Sequence, residues 1–101
     1  MPATLCKFTF TEAVSQEFIE ENIALSILSA EFLFGKAKVR IHGAYATADN
    51  PPRCIIDVTS HVGGYIAELF ADRMMRLVGE RGFDVCKVDR WKLKGEVEDE
   101  P

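Results

Sequence analysis

Three short stretches of this chain alternate apolar and polar residues, and two longer stretches repeat at helical spacing. In Leu5 to Phe10, Cys6, Phe8 and Phe10 point one way and Leu5, Lys7 and Thr9 the other. A period of two is the mark of a half-buried strand. Lys36 to Ala46 alternates again, with Val39 and Ile41 inward and Lys38, Arg40 and His42 outward. The third stretch is Arg53 to Thr59, where Cys54, Ile56 and Val58 share one side. Asp49-Asn50-Pro51-Pro52 supplies the turn between the second and third strands, because proline lacks an amide donor and asparagine starts turns readily.

Helical spacing fills the gaps. Val14, Phe18, Asn22, Leu25 and Leu28 recur at helical spacing, as do Ile19, Ile23 and Ile27, and Gly35 offers a C-terminal stop. Thr11 or Ser15 is a suitable N-cap, and Glu12, Glu17, Glu20 and Glu21 crowd the end where the helix dipole favours acids. Ser60 caps a second helix with Gly63-Gly64 in its first turn and Ile66, Leu69, Phe70, Met74, Leu77 and Val78 as its inner stripe. Phe83 to Val88 reads as a fourth strand, with Phe83/Val85 and Cys86/Val88 competing for the core.

The predicted order is therefore strand, helix, strand, strand, helix, strand. Right-handed crossovers then put both helices on one face of a four-stranded antiparallel sheet. The expected class is α+β, a ferredoxin-like βαββαβ sandwich with strand order 4-1-3-2. Residues 1–91 form its single domain, and 92–101 form a polar, acidic tail that is expected to be disordered. The predicted core includes Phe8, Phe10, Val39, Ile41, Ile56, Val58, Ile66, Leu69 and Phe70.

Composition narrows the function classes. A length of 101 residues suits one domain. A net charge of −4 argues against non-specific binding to nucleic acid or to an anionic membrane surface. The start, MPATLCKFTF, does not read as a secretory signal, so a cytoplasmic location is the default expectation. Cys6, Cys54 and Cys86 are odd in number and widely spaced, which fits thiols in a reducing compartment better than a disulfide framework. A three-thiolate metal site would need all three sulfurs at one level of the sheet, and no metal or cofactor is expected.

Two recognition modes hosted by this topology can be tested on residues. RNA-recognition domains stack bases on exposed aromatic residues of strands one and three. Here Leu5, Lys7, Thr9, Arg53, Ile55 and Asp57 hold those positions, and none is aromatic. Copper chaperones carry C-x-x-C where strand one meets helix one, and this chain has Phe10-Thr11-Glu12-Ala13. An acylphosphatase would carry an arginine in that loop, and none is present.

The most site-like segment runs from Asp57 to Gly64. Ser60, His61, Gly63 and Gly64 combine a hydroxyl, an imidazole and bare backbone beside a helix N-terminus, which suits a small anion. Arg40, His42 and Arg53 would add positive charge if the loop folds back. Together with Lys7 and Lys38 they are also expected to make the open sheet face basic, as a surface for an anion or an acidic protein. Asp57, Ser60 and His61 are the residue types of a catalytic triad, but sequence closeness is not geometry.

The first helix, Val14 to Phe34, spans roughly 30 Å at 1.5 Å per residue. The strands reach only roughly 20–23 Å, so the helix should overhang its sheet. Its second half is apolar nearly all round, which one sheet cannot cover. Leu28, Phe32, Leu33 and Phe34 are therefore expected to form a homo-oligomer interface, most simply a dimer, unless Trp91 and Leu93 fold back over them. Two functions follow: a non-catalytic oligomeric binding or assembly module, or a small enzyme or anion sensor built on the turn before the second helix.

Overall fold

A computed structural model describes residues 4–89. The elements run β1 (Leu5–Phe10), α1 (Gln16–Phe34), α2 (Lys36–His42), β2 (Tyr45–Ala48), β3 (Arg53–Asp57), α3 (His61–Leu77), a 3-10 turn (Glu80–Gly82) and β4 (Phe83–Val88). The chain is α+β, with a four-stranded antiparallel sheet in the order β2-β3-β1-β4. The expected acidic tail, with Trp91 and Leu93, lies outside the described residues.

One core joins one face of the sheet to three helices. Phe8 and Phe10 of β1, Cys54 and Ile56 of β3, and Phe83 of β4 meet Ile19 and Ile23 of α1, Val39 of α2, and Ile66, Phe70 and Met74 of α3. Edge-to-face packing of Phe8 on Phe70, with centroids 5.0 Å apart, ties the central strand to α3. Phe10 stacks on Phe83 at 5.6 Å, which settles the phase of β4: Phe83 faces the core and Val85 is half exposed.

Ser15, not Thr11, caps α1: its side chain accepts a 3.0 Å hydrogen bond from Phe18 N. Ser60 caps α3 in the same way, accepting from Gly63 N at 3.1 Å. Each cap satisfies an amide that the first turn of a helix leaves without a partner. Where α1 meets α3, Arg73 donates from Nε and Nη2 to Asn22 Oδ1 at 2.9 and 2.8 Å, while Asn22 Nδ2 donates to Phe18 O.

The second predicted strand is corrected. Residues 36–42 form a helix, and the strand begins only at Tyr45. Gly35 turns the chain at φ 93°, a region open to glycine. Val39 N then donates to the Gly35 carbonyl to start a new turn. Lys, Ala and Arg, good helix formers, fill it. Val39 is buried as expected, but Ile41 is 76% exposed and leaves the predicted core. Val58 and Leu69 are half-buried rather than core residues. The expected pair of helices on one face becomes three.

The expected charged sheet face is also corrected. Lys38, Arg40 and His42 sit on α2, not on a strand. Arg53 is only 7% exposed, and its Nη1 donates to the carbonyls of Asp49 and Pro51, 3.0 and 2.8 Å away. Leu5 and Ile55, which alternate with the core-facing residues, are fully buried.

Candidate functional site

Two features stand out on the surface of the helix layer. The first is a cleft of about 750 Å³ between the end of α1, α2 and the start of α3. It exists because α2 turns away at Gly35 and runs past the β3–α3 turn instead of joining the sheet. Phe34, Lys38 and His42 form one wall; Thr59, Ser60 and His61 form the other, with Gly64, Tyr65 and Glu68 along its length.

The turn that carries Ser60 and His61 is held firmly. Asp57 Oδ1 accepts from Thr59 N at 2.8 Å, and Thr59 Oγ1 accepts from Thr4 N at 2.8 Å. Val58 N donates to the Thr4 carbonyl and Asp57 N to the Ala44 carbonyl. The triad residue types are thus committed to structure: the Asp57 carboxylate to the Thr59 amide and Ser60 Oγ to the cap. Across the cleft, Phe34 packs edge-to-face on Tyr65 at 5.6 Å, and Lys38 Nζ lies 5.8 Å above the Phe34 ring.

The structure gathers four of the seven predicted ligand residues, Ser60, His61, Gly64 and His42, round this cleft. Gly63 belongs to packing: a side-chain carbon there would overlap the carbonyl oxygen of Asp57. Arg40 is exposed on α2, outside the cleft lining. Arg53 is held at the Asp49–Pro51 turn. Lys38 and Tyr65 were missed. A helical reading of residues 36–42 would have found Lys38, because Lys38 and His42 are four apart and share a helix face.

The cysteines form no ligand set. Cys54 is buried, and Cys6 is half-buried on the same side of the sheet; Cys86 is exposed on the other side. Burial pushes the Cys54 thiol far up from its ordinary value. Burial also raises Cys6, with Lys87 pulling it back and Cys86 pushing it further. Among the described residues, no group of three His, Cys, Asp or Glu side chains gathers to hold a metal ion.

The second feature is a stripe on α1. Ile19, Ile23, Ser26 and Ala30 face the core, and the opposite side carries Glu17, Glu21, Leu25, Leu28 and Phe32. Phe32 is 89% exposed, and Leu25 and Leu28 are about half exposed. A notch of about 220 Å³ opens beside them between Leu28, Glu31, Phe32 and Lys36. Leu33 is exposed off this line, and Phe34, predicted for the interface, turns instead into the cleft against Tyr65. Among the described residues, no helix is long and apolar enough to cross a membrane.

No protein-family model, no curated protein and no solved structure matches this chain.

Proposed function

We propose that this protein is a non-catalytic assembly module whose partner is a second copy of itself, packed through the α1 stripe. The observation that carries the reading is the exposure of Phe32 at 89%, in line with Leu28 and Leu25 on one helix face. Burying such a side chain is worth roughly 1.5–3 kcal/mol, and monomers seldom leave a row of them in water.

The charges along the stripe favour a second copy of this chain. Glu17 and Glu21 stand at its N-terminal end and Lys36 just past its C-terminal end, with Leu25 and Leu28 midway. Two copies related by a twofold axis, helices antiparallel, bring Glu17 of each opposite Lys36 of the other. The leucines meet at the centre, and each Phe32 lies across from the Glu21 turn of the other's α1. Such an isologous interface is the commonest form of homodimer.

The architecture fits a ferredoxin-like sandwich with α2 inserted between the first helix and the second strand. Three unpaired thiols, one of them exposed, suit a cytoplasmic setting.

Sedimentation equilibrium tests the assembly. The expected mass is twice 11.3 kDa at high micromolar concentration. Phe32→Asp should return the protein to monomer, since a buried unpaired charge is costly. A single wild-type species of 11.3 kDa under those conditions overturns the proposal.

A further inference from the structure

The cleft beside α2 lies off the α1 stripe and has a use of its own. Its volume of about 750 Å³ is ample for a one-ring compound. Its lining is divided by chemistry. Phe34 and Tyr65 offer apolar ring surface; Lys38, His42 and His61 offer cationic or N–H donor groups from two different elements. Glu68, one turn beyond Gly64 on α3, disfavours negative charge at that end. An anionic group therefore sits towards the start of α3, where the helix dipole adds to the attraction.

Gly64 adds open space beside these charges. A glycine inside a helix destabilises it relative to alanine. Packing requires Gly63, whose added carbon would overlap Asp57. Packing does not require Gly64: a side-chain carbon there would meet nothing within 4 Å, and Gly64 lies on the cleft wall. Its bare backbone leaves room for a bound molecule to lie flat against the first turns of α3.

We propose that this cleft binds a small aromatic anion, its ring on the Phe34–Tyr65 side over Gly64 and its charged group between Lys38, His42 and His61. Titration of the ¹⁵N-labelled full chain with phenyl phosphate tests this, with inorganic phosphate and phenol as controls. Saturable amide shifts should centre on residues 59–65 and on α2. Phenyl phosphate should bind at least about tenfold more tightly than either control, because both halves of the site contribute. Lys38→Ala should weaken it by about fivefold. Gly64→Ala should abolish saturation while the melting temperature holds or rises, the opposite of what a structural glycine would show. The absence of saturable shifts overturns the proposal, as do shifts centred elsewhere or undiminished binding by Gly64→Ala. Should Gly64→Ala fail to fold, Lys38→Ala and His61→Ala decide: unchanged affinity in both overturns it.

Discussion

Cys54 shows how a side chain's environment sets its chemistry. It is fully buried between the sheet and the helices, and burial holds its thiol well above the ordinary value of 9.0. The folded state therefore keeps a proton that the unfolded chain releases above about pH 9. Stability from this group is complete below that pH and falls as pH rises past it, by at most about 1.4 kcal/mol per pH unit. Urea titrations between pH 8 and 10.5 should show that decline, and the Cys54→Ala protein should show a shallower one; equal slopes would refute the assignment. A thiol reagent at pH 8 should label Cys86 within seconds and Cys54 only on unfolding. The capping role of Ser60 was legible in sequence because it is local. Arg53 was not, since its contacts depend on how the Asp49–Pro52 turn closes round the guanidinium.

Among the elements, α2 separates what a pattern can tell from what it cannot. Val39 and Ile41 alternate as a strand would, yet Val39 N reaches back to the Gly35 carbonyl and Ile41 faces outward. Seven residues are too few for a helical period to outweigh an alternating one. The long helices α1 and α3 carry enough repeats to declare themselves, six residues of β1 hold three full strand periods, and β4 was legible as a strand though not in its phase. Ser60, His61 and Gly64 were visible because a cap and its turn are local; His42 was named but placed on a strand, and Lys38 and Tyr65 were missed. The two readings of residues 36–42 differ in a measurable way. Ile41→Asn should change stability by no more than about 0.5 kcal/mol, as an exposed position does. Val39→Ala should destabilise by roughly 1–3 kcal/mol, and Ile56→Ala, in the interior strand β3, by about 2–5 kcal/mol. Equal losses at Val39 and Ile41, followed by chemical denaturation, would restore the strand.

At the scale of the whole molecule, most acids of α1 precede the bases of α2 along the chain, with Glu31 beside Lys36 the exception. Glu17, Glu20 and Glu21 lie towards one end, and Lys36, Lys38, Arg40 and His42 towards the other. A parallel pairing of two α1 helices would set like charges side by side. In the proposed dimer an antiparallel pairing would set Glu17 against Lys36, so charge would select the orientation while Leu25, Leu28 and Phe32 would supply the affinity. Pairing through β4, whose Val85 is half exposed at the sheet edge, would leave α1 free and make its charges irrelevant. Charge reversal distinguishes these arrangements. Glu17→Lys alone should place lysine opposite Lys36 twice per dimer, and Lys36→Glu alone should place acid opposite Glu17 twice. An exposed pair is worth roughly 0.2–1 kcal/mol, so two pairs lost and made repulsive should weaken dimerisation by about tenfold at low salt. The double variant Glu17→Lys/Lys36→Glu restores both pairs with reversed sign, and its dissociation constant should return to within about twofold of wild type. The differences should shrink at about 1 M salt, where screening reaches only about 3 Å. Analytical ultracentrifugation of the four proteins at two salt concentrations supplies the comparison. A double variant no tighter than its singles would rule out the antiparallel pairing, whatever the oligomeric state proves to be.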